Sequence, residues 1–286
     1  MLFRSIVKPD GSINVKRSGQ LIKQSGREIS GRSPSYKIEG TPGTTDTLYL
    51  RVASDDPLQL QLSLYSSTAM IEETFNSTAL IGAYYGIMIV MLLYNLFLFS
   101  TLRERSYLFY CAYLVCLIPA QMSFDGLSYQ LLWPDSPWWA NRAAVLLSGA
   151  VALAGTQFAR VFLKTSIHTP VLDRALIVLL IGAALVIPCS LTYPYPVAAT
   201  AGVGIAVVFA ILMLTTAIIG FLQNVPNAKF FLIAWLTFTA GLLIRALTTT
   251  GQLEINPFTL YAAQFGTALE TVLLSFALAD RINGMQ

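Results

Sequence analysis

Residues 79–99 read ALIGAYYGIMIVMLLYNLFLF, 21 residues without a charge. About 20 apolar residues in a helix cross the roughly 30 Å of a bilayer's hydrocarbon. Within that layer only a helix or a closed barrel satisfies every backbone N–H and C=O. Six more apolar segments follow, at 107–124, 141–162, 175–191, 197–222, 230–250 and 258–278. Seven helical spans put the two ends of the chain on opposite sides of a membrane. Composition agrees: 55% of residues are hydrophobic and 12% charged, with a mean hydropathy of +0.62, whereas a soluble domain carries about 25% charged residues.

Residues 1–65 have a different pattern, an alternation on a period of two that marks half-buried antiparallel strands. Leu58, Leu60, Leu62 and Leu64 alternate with Gln59, Gln61, Ser63 and Tyr65. Leu48, Leu50 and Val52 alternate with Tyr49 and Arg51, and 36–39 is a third short run. Turn residues separate them, Gly40-Thr41-Pro42-Gly43 before one strand and Asp55-Asp56-Pro57 before the next. A β-sandwich is expected, but three or four strands fall short of the roughly seven it usually needs, so the copy is read as partial. The opening MLFRSIVKPDGS lacks the apolar core of about 7 to 15 residues in a secretory signal, and the intact chain is expected to begin upstream of Met1, the alternatives being an unusual start site or a cytoplasmic cap that needs no export.

Basic residues orient the bundle, because short cytoplasmic loops carry an excess of Lys and Arg. Arg103, Arg105, Lys164, Arg174, Lys229 and Arg281 fall in the loops after spans one, three and five or at the C-terminal end. The opposite loops hold Arg142 at a helix end, and Arg245 lies in the last turns of span six. The expected orientation is a cytoplasmic C-terminus with the β element outside.

Ionisable groups at membrane depth are costly and are either paired or functional. Glu270 lies 12 residues beyond Phe258, about 18 Å along its helix and near the midplane. A hydrogen-bonded structural role and a switch or ligand role are both open to it. Arg245 is expected to snorkel outward, the alternative being an ion pair with Glu270. Asn95 and Gln264 are expected to bridge helices, and Arg160 to reach the interface. The small residues Gly149, Ala150, Ala152, Ala154 and Gly155, then Gly202, Gly204 and Ala206, suit close helix packing.

Catalytic chemistry finds no support. The one histidine, His168, sits in a predicted loop, and no His/Cys/Asp/Glu set has metal-ligand spacing. No lysine stands in the last span to carry a Schiff base, and Cys111, Cys116 and Cys189 lie in apolar segments where packing is their role. No catalytic, cofactor-binding or metal residue is assigned, and no cofactor is expected. The net charge of +3 comes without the dense basic patch that nucleic-acid binding requires.

The residues also resemble a family. Ser25-Gly26-Arg27-Glu28, Thr47-Leu48-Tyr49-Leu50-Arg51-Val52-Ala53-Ser54 and the leucine run 58–65 are similar to the later part of the extracellular β domain of bacterial seven-transmembrane receptors with diverse intracellular signalling modules. Leu93-Tyr94-Asn95-Leu96-Phe97-Leu98, Arg105-Ser106-Tyr107-Leu108-Phe109-Tyr110, Gly126-Leu127-Ser128-Tyr129-Gln130, Leu269-Glu270 and Leu278-Ala279-Asp280-Arg281-Ile282-Asn283 resemble its membrane part. The resemblance implies a jelly-roll-like sensor domain at 1–69, a linker at 70–78, a seven-helix bundle at 79–278 and the start of a cytoplasmic signalling helix at 279–286. It implies a multipass sensor in the bacterial inner membrane that binds a carbohydrate-like or other small ligand outside. Output would pass to a cytoplasmic kinase, cyclase or phosphatase module, with homodimerisation by analogy. A small-solute transporter or channel is the alternative, weakened by an odd number of spans and no inverted repeat. A structural fragment with no output of its own is a third reading.

Overall fold

The computed structural model describes residues 2–7, 13–19, 22–38, 43, 47–53 and 62–283. The first part is a three-stranded antiparallel sheet in the order β2-β1-β3, made of β1 (Leu2–Val7), β2 (Ile13–Ser18) and β3 (Thr47–Val52). The central strand β1 pairs Leu2 with Ser18 on one side and with Val52 on the other. The alternation at 47–53 thus marks a true strand. Residues 58–61, Glu39, the Gly40–Pro42 portion of the first turn and the Asp55-Asp56-Pro57 turn lie outside the described residues. Leu62 to Tyr65 carry no regular structure.

Seven helices are long and apolar enough to cross a membrane. They are α1 (Ser67–Leu102), α2 (Arg105–Phe124), α4 (Pro137–Leu163), α6 (Pro170–Thr192), α7 (Tyr195–Leu222), α8 (Ala228–Thr249) and α10 (Ala262–Asn283). Three short helices join them: α3 (Leu127–Leu131), α5 (Thr165–His168) and α9 (Pro257–Leu260). The chain is a multipass membrane protein. Residues 70–78, expected as a linker, belong to α1, which is 36 residues long and so spans about 54 Å. Ser66 caps it, accepting the Ala69 N–H at 3.2 Å, and no Gly or Pro interrupts 66–81. The seventh span is also entered differently from its sequence reading. Asn256 and Thr259 form a reciprocal capping box around Pro257, and the chain breaks at Tyr261 before α10 begins.

The surface of the bundle is apolar. Val90, Leu93 and Phe97 of α1, Val178 and Leu185 of α6 and Phe276 of α10 are all exposed, a surface suited to acyl chains and untenable in water. The interior is aromatic. Tyr110, Phe158, Phe162, Phe231 and Trp235 pack ring on ring with centroids 5.2–6.4 Å apart, and Phe209 meets Trp235 edge-on at 5.3 Å. Gly155 admits Phe209, since a Cβ there would lie 2.7 Å from its Cζ. Gly149 and Gly202 likewise sit against α6 and α4, but Gly204, read as a packing residue, faces open space.

The tightest crossing joins α8 to α10. A Cβ on Gly241 would lie 2.5 Å from the Ala262 carbonyl oxygen and 3.1 Å from Gly266 Cα, so the two backbones touch. Backbone cannot yield as a side chain can. Gly241→Ala is expected to destabilise the protein by about 1–3 kcal/mol, read as a lower Tm in detergent, while Gly204→Ala, whose Cβ meets nothing within 4 Å, leaves Tm unchanged.

Candidate functional site

At 100° per residue, Gln264, Thr267, Thr271 and Ser275 of α10 fall within an arc of about 80°, with Glu270 to one side. This polar stripe rises 11 residues, roughly 16 Å, through the bundle. In hydrocarbon each of these groups needs a partner, and α1 and α2 supply them. Gln264 Nε2 donates to Asp125 Oδ1 at 2.7 Å, and Tyr85 of α1 donates to Asp125 Oδ2 at 2.6 Å. Gln121 Nε2 donates to Thr267 Oγ1 at 3.2 Å. Tyr113 donates to both oxygens of Glu270, at 2.9 and 3.2 Å. Tyr110 donates to the Thr271 carbonyl at 2.5 Å, and Thr271 Oγ1 lies 3.3 Å from Met88 Sδ. Asn95 Nδ2 closes the seam with a bond to Ser275 Oγ at 2.5 Å.

Antiparallel α2 and α10 set the order of these contacts. Asp125, which caps the end of α2, and residues 121, 113 and 110 of α2 meet 264, 267, 270 and 271 of α10 in turn, and α1 runs alongside with Tyr85, Met88 and Asn95. Glu270 and Asn95 are wholly buried. Among the described residues, no cation lies within hydrogen-bonding distance of Glu270. Two acceptors of the seam, Asn95 Oδ1 and Gln264 Oε1, are buried without a partner.

The expected residues are therefore divided. Glu270, Asn95 and Gln264 belong to one seam, Asn95 and Gln264 as bridges between helices. Arg245 stands apart and donates through Nη1 to the Leu260 carbonyl at 3.3 Å. The contact of Gly241 with Gly266 in antiparallel helices sets residue 245 opposite about 262, eight residues or roughly 12 Å from Glu270. Arg160, in the last turn of α4, pairs with Asp173 in the first turn of α6. Its Nε and Nη2 donate to the two carboxylate oxygens at 2.8 and 3.0 Å, with Thr165 Oγ1 donating to Oδ1 at 2.6 Å. Asp125, Tyr85, Tyr110 and Tyr113 were not singled out by sequence. The spacing of polar residues along 264–275 marks the stripe, but tyrosines in an apolar span look like packing until a carboxyl faces them.

At its Asp125 end the seam meets the N-terminal region. Gln24 N donates to the Pro134 carbonyl at 3.0 Å, and Ser25 Oγ donates to Asp135 Oδ1 at 3.0 Å. The Tyr129 hydroxyl donates to the Ile22 carbonyl. Gly126, next to Asp125, has φ +76°, and a Cβ there would lie 3.1 Å from Arg32 Cγ and from its carbonyl oxygen. Both the positive φ and the close approach require glycine.

A seven-span bundle with a small sheet at one end and a buried polar seam beneath it defines a multipass membrane protein. Residues 77–281 match the family described as 7TM diverse intracellular signalling, and residues 6–66 match 7TMR-DISM extracellular 2. The first match covers more than two-thirds of the chain, and the chain belongs to the seven-transmembrane receptors with diverse intracellular signalling. No curated protein and no solved structure matches it.

Tyr113→Phe leaves a buried carboxyl without its donor, which costs about 1–3 kcal/mol. Its Tm in detergent is expected to fall, whereas Tyr94→Phe, altering a tyrosine on the exposed face of α1, leaves Tm at the parent value.

Proposed function

We propose that this chain is the sensor portion of a receptor in the bacterial inner membrane, relaying a signal received outside to a cytoplasmic output module. The observation that carries the proposal is the seam. A stripe of α10 is held by side chains of α1 and α2, begins at Asp125 beside the docked N-terminal region, and lies on the helix that ends the described chain. A change in how residues 22–32 rest on Gly126 and Tyr129 would shift Asp125. The Tyr85 and Gln264 bonds then carry that shift to α1 and α10.

The unpartnered amide oxygens of Asn95 and Gln264 support a second arrangement of the seam, because a partly satisfied buried network gains from rearrangement. The Gly241 and Gly266 contact holds α8 to α10, so the two helices would move as one unit against α1 and α2. Orientation rests on charge: Arg103, Arg105, Lys164, Arg174, Lys229 and Arg281 gather at the end remote from the sheet. A carbohydrate-like small ligand, a kinase or cyclase output and a homodimer rest on family analogy alone.

Two experiments test the reading. With a histidine kinase or diguanylate cyclase fused after α10, Glu270→Gln and Glu270→Leu are expected to change output severalfold at unchanged expression; parental output from both refutes a relay role for the seam. Alkaline phosphatase fused after Asp135 is expected to be active and after Lys164 inactive, and the reverse pattern would invert the orientation.

A further inference from the structure

A cleft of about 450 Å³ lies on the bundle beside the seam, between α4 and α7 and under the N-terminal region. Its volume falls within the range of about 300–1,000 Å³ usual for small-molecule sites. Tyr195, Ala199, Gly202 and Ala206 line it from α7. These residues are spaced by four, three and four, so they share one face and span roughly 16 Å of helix. Ala140, Ala144 and Ser148 line it from α4 at the same helical spacing. Small side chains on both walls keep a long, narrow, largely apolar groove open. Val203 on its edge is 65% exposed within a membrane span, so the groove opens sideways toward the acyl chains of the bilayer.

The roof of the cleft has the opposite character. Arg27 and Arg32 both line it. Arg27 is only 9% exposed. Its Nη1 donates to the Gly31 carbonyl at 3.0 Å and its Nη2 to the Gly19 carbonyl at 2.9 Å, and the guanidinium lies 4.8 Å from the centre of the Tyr129 ring. Its Nε is buried without a partner. Carbonyls and a ring orient this charge but do not neutralise it. Arg32 packs its stem on Gly126 and makes no hydrogen bond or ion pair among the described residues. Two guanidinium groups thus stand at the mouth of an apolar groove with no carboxylate in hydrogen-bonding contact among the described residues, and guanidinium is the side chain best shaped for a carboxylate or phosphate.

We propose that this cleft binds an amphiphile with an anionic head and a single acyl chain in the groove, the head against Arg27 and Arg32 and the chain between α4 and α7. The shared chemistry is that of a free fatty acid or of one chain of an anionic bilayer lipid. The proposal concerns binding alone and does not depend on the signalling reading.

Radiolabelled dodecanoate titrated onto the full chain in phosphatidylcholine nanodiscs tests it. Saturable one-to-one binding is expected, with dodecanol, the same chain without the charge, weaker by about tenfold or more. Arg32→Glu at the head and Ala199→Trp in the groove are each expected to weaken dodecanoate by about tenfold or more. The thermal unfolding of each variant shows which of them is folded. Competition from phosphatidylglycerol added to the nanodiscs would assign the site to a bilayer lipid as well, and its absence to a free fatty acid. Equal binding of dodecanol and dodecanoate, or parental affinity in either folded variant, overturns the proposal. Because the experiment reads binding alone, its result leaves the relay reading untouched.

Discussion

A carboxyl group surrounded by hydrocarbon can persist only if another part of the chain hydrogen-bonds it, and Glu270 imposes that demand on the fold. Tyr113 meets it across the gap between α2 and α10. Around this contact the other polar residues of α10 find partners at successive levels, from Asp125 at one end to Asn95 at the other. Removing water raises the value of each bond and the penalty for losing it. The same requirement explains the many threonines elsewhere in the spans. Thr216, Thr239 and Thr248 turn their hydroxyls back to carbonyls one turn earlier in their own helices.

The two sides of α10 are built on different principles. Toward α8 it makes backbone contact through Gly241 and Gly266, a dispersion interface with no freedom to slide without opening. Toward α1 and α2 it is held by long side chains and hydrogen bonds, which can exchange partners. An assembly with one fixed and one adjustable face is suited to rigid-body movement, the usual currency of two-state membrane proteins.

The seam and the amphiphile cleft share a corner. Ser123, Phe124 and Gly126 line the cleft, while Asp125, between them, accepts the bonds that begin the seam. Arg32 serves both, packing on Gly126 and roofing the cleft. A molecule lodged against the arginines would press on the same short turn between α2 and α3 to which residues 22–32 are fastened. In the proposed scheme, the N-terminal region and the surrounding lipid would therefore reach α10 by one route.

The spans, their number and the charge asymmetry between the two ends follow from sequence alone, because a bilayer demands some twenty apolar residues in each crossing whatever their neighbours are. The strand at 47–52 is legible for a similar reason, since side-chain alternation is a local property. Glu270, Asn95 and Gln264 stand out in sequence because polar groups at such depth are rare. The tertiary structure decided what each one meets. Arg245 and Glu270 both look available for an ion pair in sequence, yet the register set by Gly241 against Gly266 separates them. Tyr85, Tyr110 and Tyr113 read as apolar bulk until the packing of α1, α2 and α10 turns their hydroxyls toward polar atoms. Gly202 and Gly204 look alike in the sequence and differ in the fold, one touching Val145 and the other touching nothing. Spans are fixed by each segment's own exchange with the solvent, whereas partners depend on distances between segments far apart in the chain.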